Sequence, residues 1–169
     1  LYQANIRDAI ESVTLPGTAC DAPNPNCSQL QNIGRQRNRG VELSGSWQAL
    51  DSLRLDAQVN LLDRENLSSP AIRPVDTPKW RHRVAASWQP HVQWRVTVDA
   101  ARESKRNTTT NGSRVADAFT LVNAFARYAP DAHWGVELGV RNLADKLYAY
   151  QEGYFEAGRS WLLQLDWRY

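Results

Sequence analysis

Hydrophobic and polar residues alternate with a period of two along most of this 169-residue chain. The clearest example is the C-terminal segment, where Trp161, Leu163, Leu165, Trp167 and Tyr169 share one face and polar residues occupy the other. Alternation of this kind is typical of a β-strand, because successive side chains of a strand point to opposite faces of the sheet. The pattern therefore predicts an all-β protein whose strands are antiparallel neighbours.

The alternation predicts about eight strands in total. Two of them are less regular than the rest, namely residues 2–13 and residues 118–128. The apolar face of the second of these is assigned to Val122, Ala124, Ala126 and Tyr128. The other five internal apolar faces are Val41, Leu43, Gly45 and Trp47; Leu55, Ala57, Val59 and Leu61; Val84, Ala86 and Trp88; Trp94, Val96, Val98 and Ala100; and Trp134, Val136, Leu138 and Val140.

The connections between these strands fall into two classes that alternate strictly along the chain. One class is short, and the other is long, polar and rich in Asn, Thr, Ser and Pro. Outer-membrane β-barrels show this arrangement, with short periplasmic turns and long extracellular loops. The short connections are residues 49–52, 89–92 and 129–133, and the long ones are 14–30, 67–79, 102–117 and 143–157.

The apolar faces carry tryptophan at the strand ends that adjoin the short connections. A row of such side chains at one height is typical of a lipid–water interface, because each has an apolar ring and a group that forms hydrogen bonds with water. We therefore expect the apolar faces to contact lipid and the aromatic row to lie at the periplasmic interface. Its members are Trp47, Trp88, Trp94, Trp134, Trp167 and Tyr169.

The opposite faces carry charged side chains, which would line a water-filled barrel interior. A soluble β-barrel binding module would show the reverse arrangement, with the tryptophan face buried inside and the charges outside. This soluble module is the alternative that the pattern leaves open. The charged positions are Arg54, Asp56, Arg95, Asp99, Glu137, Arg141, Asp166 and Arg168.

Composition narrows the class of protein further. The formal net charge is only +2, which is unlike the concentrated basic face of a nucleic-acid-binding protein. The mean hydropathy is −0.57, and no stretch approaches the roughly 18 apolar residues of a spanning helix. The chain begins Leu1-Tyr2-Gln3, contains no Met and has no signal segment, so we expect a mature or excised part of a longer protein.

Two cysteines, Cys20 and Cys27, lie in a turn-rich segment that also contains Pro23 and Pro25. A disulfide between them would close a small loop and would indicate an oxidising compartment such as the periplasm or the cell surface. Two free thiols, or half of a zinc site, are the alternatives. A complete zinc site would need further ligands nearby, and the three histidines are far away in the sequence.

Catalytic chemistry has little support in the sequence. His82, His91 and His133 show neither the spacing of metal ligands nor that of a nucleophile elbow, and there is no Gly-rich phosphate-binding loop. We interpret these histidines as solvated or interfacial residues. The expectation is a protein that is not an enzyme and needs no cofactor.

Four segments carry specific motifs. They are residues 38–43 (Asn-Arg-Gly-Val-Glu-Leu), 77–83 (Thr-Pro-Lys-Trp-Arg-His-Arg), 140–148 (Val-Arg-Asn-Leu-Ala-Asp-Lys-Leu-Tyr) and 153–161 (Gly-Tyr-Phe-Glu-Ala-Gly-Arg-Ser-Trp). Together with the aromatic C-terminal strand, they resemble the TonB-dependent outer-membrane receptors, in particular the ferric siderophore receptor type. The resemblance covers nearly the whole chain, and the C-terminal segment is its most specific part.

The resemblance implies a transmembrane, antiparallel, up-and-down β-barrel of about 22 strands with an N-terminal plug domain in its lumen. Residues 1–169 would form the C-terminal part of that barrel, about eight strands, without the plug and the N-terminal strands. Such receptors lie in the bacterial outer membrane and take up ferric siderophores, sometimes haem or cobalamin, with energy relayed by TonB. Their last strand is recognised by the barrel-assembly machinery, and here it ends in Tyr169 where Phe is usual.

Two sets of residues are candidates for ligand contact in such a receptor. Aromatic side chains of the last long loop could contact a catecholate or haem-like ligand, or they could cap the barrel rim and stack on one another. Arginines that face the lumen near the external side could attract an anionic ferric complex, or they could form salt bridges to the plug. These candidates are Tyr148, Tyr150, Tyr154 and Phe155 in the loop, and Arg64, Arg81 and Arg83 in the lumen.

A third set lies on the outer surface. Arg35, Arg37 and Arg39 share the outward parity of Val41 and could hold phosphates of lipopolysaccharide, unless a bulge at Gly40 reverses that parity. The other function that the sequence leaves open is a stand-alone eight-stranded outer-membrane barrel with a structural or adhesive role.

Overall fold

The computed structural model describes residues 1–20 and 27–169, and β-strands dominate that part of the chain. The one helical element in it is a 3₁₀ turn at Gly17–Ala19. The strands are β1 (Tyr2–Thr14), β2 (Ser28–Leu50), β3 (Leu53–Asn66), β4 (Trp80–His91), β5 (Trp94–Glu103), β6 (Arg106–Asn107), β7 (Val115–Ala116), β8 (Phe119–Tyr128), β9 (Trp134–Arg141), β10 (Ala149–Gln151), β11 (Tyr154–Phe155) and β12 (Ser160–Trp167).

Eight of these strands form one sheet in the order β1-β2-β3-β4-β5-β8-β9-β12, and every neighbouring pair is antiparallel. This confirms the predicted all-β, antiparallel, up-and-down arrangement. The strands β6 and β7 form a small hairpin inside one long loop, and β10 and β11 form another. The sequence pattern predicts neither hairpin, because segments of two or three residues are too short to show alternation.

The alternation of short and long connections is confirmed. Residues 51–52, 92–93 and 129–133 join strands at one end of the sheet, which we call the turn end. The second, third and fourth long loops, residues 67–79, 104–118 and 142–159, lie at the opposite end, called the loop end. The hairpin of β1 and β2 extends past β3 at this end, because Gln36 opposite Asn66 is the last pair that joins β2 to β3.

The cross-strand register separates the two faces of the sheet. One continuous row runs Trp47, Leu55, Ala86, Val98, Ala124, Val140, Trp161, and it defines the apolar face. A second row contains Asp56, Ala85, Asp99 and Asn123, and it defines the polar face. All seven tryptophans share the parity of the apolar face, because Trp80 pairs with Leu61 and Trp88 with Leu53.

The apolar face is not covered by any other layer of the described protein. Trp47, Trp161 and Trp167 are 65%, 69% and 73% exposed, and Leu165 is 74% exposed. Only five hydrophobic residues of the described chain are buried, namely Val13, Ile33, Ala116, Phe119 and Val140. This arrangement contradicts the alternative of a soluble barrel with its tryptophans packed in a dry centre.

Three members of the predicted aromatic row, Trp94, Trp134 and Trp167, lie side by side with Tyr128 near the turn end of the apolar face. Trp94, Tyr128 and Trp134 are in contact there, with ring centroids 4.6 Å apart for the first pair and 6.3 Å for the second. Trp134 is also the cross-strand partner of Trp167. The aromatic side chains therefore continue from strand to strand along this edge of the sheet.

The sheet is open, with β1 and β12 as its edge strands. In the described part of the chain no contact joins these two strands. Within the same residues there is no helix that is long and apolar enough to cross a membrane.

Candidate ligand-binding site at the loop end

The second and third long loops pack against each other over the polar face. The backbone N–H of Arg73 donates to the Thr110 carbonyl at 2.8 Å, and the N–H of Asp76 donates to the Asn107 carbonyl at 2.9 Å. The side chain of Thr110 is buried between these elements. Two loops that are far apart in the sequence therefore form one unit.

The β1–β2 hairpin is attached to the same unit. The N–H of Thr14 donates to Thr110 Oγ1 at 2.7 Å, and the N–H of Thr110 donates to Thr14 Oγ1 at 3.2 Å. The buried Asn66 holds the start of the second long loop, since its Nδ2 donates to the Ile72 carbonyl at 2.5 Å and to Glu11 at 3.3 Å. These side-chain hydrogen bonds replace the regular ladder where the strands end.

One further contact fixes the base of both loops. Ser104 Oγ accepts hydrogen bonds from the backbone N–H of Lys79 at 2.8 Å and of Trp80 at 3.3 Å. Ser104 is buried, so this junction is shielded from water. The second and third long loops are therefore joined at their base as well as along their length.

A cavity of about 620 Å³ lies between these two loops and the ends of the strands below them. Its size falls in the range of small-molecule sites. Five cationic residues line it and no carboxylate does, which makes its wall strongly positive. The cations are Arg64, Arg73, Lys79, Lys105 and Arg106.

Two of these cations have carboxylate partners just outside the cavity wall. Arg64 lies 3.4 Å from Glu11, and the buried Arg106 lies 2.5 Å from the buried Glu103. Partial burial raises the pKa of Asp76, and the positive charge of Arg106 acts in the opposite direction. Asp76 does not line the cavity.

The three arginines that the sequence singled out do not form one group. Arg64 lines the cavity, whereas Arg81 does not. The Nε of Arg81 is 2.6 Å from the Glu103 carboxylate that also binds Arg106. Arg83 lies further down the polar face, 3.4 Å from Asp99. All three project from the polar face as expected, and all three form ion pairs within the sheet and its loops.

The four aromatic candidates separate into two pairs. Tyr148 and Tyr150 pack on the buried Phe119, with ring centroids 4.8 Å and 5.5 Å away, and the Arg106 guanidinium lies 5.5 Å from the Tyr150 ring. Burial raises the pKa of both phenols. Tyr154 and Phe155, by contrast, are 71% and 66% exposed on the β10–β11 hairpin.

The cysteines form the expected disulfide, Cys20–Cys27, so the alternatives of free thiols and of half a zinc site are wrong. The backbone N–H of Leu15 donates to the Cys27 carbonyl at 3.0 Å, which places the disulfide directly beyond the end of the β1–β2 ladder. Residues 21–26 between the cysteines lie outside the described part of the chain.

The histidines are dispersed. His82 stacks on Trp80 on the apolar face, with ring centroids 4.8 Å apart, and the Arg102 guanidinium lies 5.7 Å from the same indole ring. His91 ends β4 next to a short turn, and His133 lies in another short turn. Across residues 1–20 and 27–169, no three His, Cys, Asp or Glu side chains come together as a metal site.

The register settles the parity of the outer arginines. It continues from β2 to β3 through Gly40 without a shift, so Arg37 and Arg39 share the face of Val41. The irregularities of the β1–β2 ladder lie earlier, between Ile6 and Ala9 in β1 and at Ile33 in β2, and Arg35 precedes the first pair that joins β2 to β3. Arg37 pairs with Glu65 across the strands at 2.5 Å, and Arg39 Nε donates to Gln3 at 3.0 Å.

Four of the cavity cations were not identified from the sequence, namely Arg73, Lys79, Lys105 and Arg106. They lie in two loops separated by some 25 residues, and only the folded sheet brings these loops together. One sequence feature does point to them: the two loops together contain more Lys and Arg residues than Asp and Glu residues.

Comparison with known sequences shows one family over most of the chain. The sequence model of the family described as TonB dependent receptor-like, beta-barrel matches residues 1–143. The chain is 27% identical over 153 residues to the vitamin B12 transporter BtuB of Photobacterium profundum. That match covers 88% of this chain and 24% of the transporter, so the chain spans about a quarter of its relative's length.

Solved structures share the fold over nearly the whole chain. The siderophore receptor PiuA from Acinetobacter baumannii superposes with a TM-score of 0.76 at 18% identity, over 99% of this chain and 25% of that chain. The copper transporter OprC gives a TM-score of 0.80 at 18% identity, over 98% and 27% of the two chains. The names of these three proteins refer to three different cargoes, vitamin B12, a siderophore and copper. Similarity to them therefore does not identify a cargo.

Proposed function

Because the chain belongs to the family of TonB-dependent receptors, through their β-barrel domain, we propose that it serves in the uptake of a ferric siderophore or a related iron complex. Residues 1–169 are then the C-terminal part of the barrel of an outer-membrane receptor, completed by further strands, a plug domain and a TonB-contacting segment. The observation that carries the proposal is the sheet itself, which has an exposed tryptophan face, a charged face and its long loops at one end.

In this proposal the apolar face contacts the hydrocarbon of the outer membrane, and the aromatic row lies at the periplasmic interface. The charges of the polar face line the lumen, where water and the plug meet them. The open sheet supports a segment of a larger barrel over a stand-alone eight-stranded one, because unpaired strand edges are not stable in lipid. The last strand, β12, is the element that the barrel-assembly machinery recognises.

Other contacts of the intact receptor follow from the same placement. Arg39 is exposed on the outward face, and Arg35 is exposed beyond the last pair that joins β2 to β3; we assign both, with Arg37, to the phosphates of lipopolysaccharide in the outer leaflet. Tyr154 and Phe155 face solvent at the tip of an extracellular hairpin, where they are free to contact a ligand. Tyr148 and Tyr150 support that hairpin by packing on Phe119.

Growth on defined iron sources tests the proposed function. A strain that lacks the receptor, grown under iron limitation, should lose growth on one ferric siderophore and regain it with a plasmid copy of the receptor. Parallel cultures that depend on cyanocobalamin test the second candidate, cobalamin uptake, which the similarity to a vitamin B12 transporter favours. Restoration of growth on cobalamin alone, or on neither source, would contradict the uptake of iron.

The two pairs of aromatic residues differ in burial, and this difference allows a further test of ligand contact in the intact receptor. Replacing Tyr154 and Phe155 with Ala should leave the amount of folded receptor unchanged and weaken ligand binding about tenfold, because exposed aromatic rings bind ligands without supporting the fold. Replacing Tyr148 and Tyr150 with Ala should instead reduce folded receptor, since the change removes the rings that cover Phe119. Unchanged ligand affinity in the first variant would remove Tyr154 and Phe155 from the site.

A further inference from the structure

We propose that the cavity between the second and third long loops is a binding site for a compact, multiply anionic ligand. Its negative charges would lie on carboxylate, phenolate or phosphate oxygens. The proposal rests on the proposed function in one respect, because it takes this ligand to be the transported iron complex. It assigns the contact to Arg73, Lys79 and Lys105, and not to the arginines that alternate along the strands.

The charges around the cavity are unevenly compensated. Among the described residues, Arg64 forms an ion pair with Glu11, and Arg106 forms one with Glu103. Arg73, Lys79 and Lys105 have no carboxylate within 4.0 Å among these residues. Glu103 is shared, since Arg81 binds its second oxygen at 2.6 Å. One carboxylate between two guanidinium groups leaves a further positive charge at the cavity base.

Some cations on the strands face carboxylates directly, as in Arg83 with Asp99 and Arg127 with Asp166. Others, such as Arg95 and Arg141, have no carboxylate within 4.0 Å among the described residues, so the cavity is distinguished by three such cations that line one site. Cations without such partners repel one another, and the repulsion is removed when an anion binds between them. A site for an anion is therefore the arrangement that these charges favour.

The cavity is also held open before any ligand arrives. Its two walls are joined by backbone hydrogen bonds from Arg73 to Thr110 and from Asp76 to Asn107, and Ser104 fixes their base. Thr14 and Asn66 attach the same loops to the β1–β2 hairpin and to β3. The loop backbone is therefore positioned in advance, and binding has to order only the exposed side chains of Arg73, Lys79 and Lys105.

Equilibrium binding to the intact, detergent-solubilised receptor tests the site. The probes are two ferric complexes with three negative charges each, a tris-catecholate and a tricarboxylate complex, and cyanocobalamin as a probe without net charge. We expect wild-type receptor to bind at least one of the ferric probes and the triple variant R73Q/K79Q/K105Q to bind it at least about tenfold more weakly. A matched triple variant, R141Q/K146Q/R159Q, removes the same charge from the same end of the sheet and should stay within about threefold of wild type.

A second measurement does not depend on how the variants fold. Binding of the ferric probe to the wild-type receptor should weaken steeply as salt rises from about 0.05 M to about 0.5 M, because the cations are partly exposed and therefore screened. Wild-type binding of cyanocobalamin alone, binding that is indifferent to salt, or equal affinity in the R73Q/K79Q/K105Q variant would each overturn the proposal.

The two levels of inference fail separately. If growth is restored on an iron complex but the cavity variant binds that complex like wild type, the uptake function stands and the cavity assignment is wrong. If the ferric probe binds through the cavity but supports no growth, the anion site stands and the uptake function is wrong.

Discussion

Ala85 and Ala86 are neighbours in β4, and their surroundings show how different the two faces of the sheet are. Ala85 lies between Asp56 and Asp99 on the polar face. Ala86 lies between Leu55 and Val98 on the apolar face. The same residue type therefore has carboxylates on both sides at one position and aliphatic side chains on both sides at the next.

The two faces also differ in what they need from their surroundings. Charges on the polar face pair across the strands, and the side chain of Arg83 is 59% exposed beyond its contact with Asp99. The apolar face offers no such partners at mid-height, and an exposed hydrophobic surface of this extent would be unfavourable in water. The polar face is therefore stable next to water and the apolar face next to hydrocarbon, and the wall of a membrane β-barrel contacts both.

The largest effect is expected from a charge placed at mid-height on the apolar face. Ala86→Arg should destabilise the folded barrel by about 2–4 kcal/mol, because the guanidinium would lie in hydrocarbon. Its matched control is Ala85→Arg, whose guanidinium would meet Asp56 and Asp99 and should cost less than about 1 kcal/mol. Heat-modifiable mobility of the receptor from outer membranes measures the folded fraction of each variant.

Equal losses in the two variants would contradict the assignment of the faces. A greater loss for Ala85→Arg than for Ala86→Arg would reverse it.

An intermediate loss of stability is expected at the loop end, where polar contacts between the loops, and not contact with lipid, stabilise the structure. Asn66→Ala removes the donor to Ile72 and Glu11 from a buried position and should destabilise the docking of the second long loop by about 1–3 kcal/mol. Hydrogen exchange of amides in residues 67–79 would report the change as faster exchange. Asn60→Ala, on the polar face of the same strand, is the control and should leave these amides unaffected.

The smallest loss of stability is expected for an arginine that lies on the apolar face but close to the loop end. Arg37 pairs with Glu65, and both side chains are partly exposed. Arg37→Gln should therefore change stability by no more than about 1 kcal/mol. A loss as large as that of Ala86→Arg would show that height along the apolar face does not matter, contrary to a membrane boundary between the two positions.

The regular part of the fold could be predicted because its signal is local. Alternation predicts the strands and their faces. The strand has no bulge at Gly40, so Arg37 and Arg39 lie on the face that alternation assigns to them. The disulfide could be predicted because the cysteines are close in sequence and lie in a turn-rich segment.

The site could be predicted only in part, because its contacts are not local. Thr110 reaches Thr14 across 96 positions, and no alternation signals such a pair. For the same reason the sequence grouped Tyr148 and Tyr150 with Tyr154 and Phe155, whereas Phe119 holds the first two in place. Alternation places Arg64, Arg81 and Arg83 on the polar face, but it does not identify the carboxylates that pair with them.

Quenching of tryptophan fluorescence by lipid with brominated acyl chains tests the membrane placement most directly. Two single-tryptophan forms of the receptor in liposomes differ only in parity: one keeps Trp161 on the apolar face, and the other carries Trp161→Phe with Leu162→Trp on the polar face. We expect strong quenching of Trp161 by the brominated lipid and weak quenching of the form with Leu162→Trp, which aqueous acrylamide should quench instead. The opposite result, or equal quenching of both forms by lipid, would contradict a tryptophan face in contact with hydrocarbon.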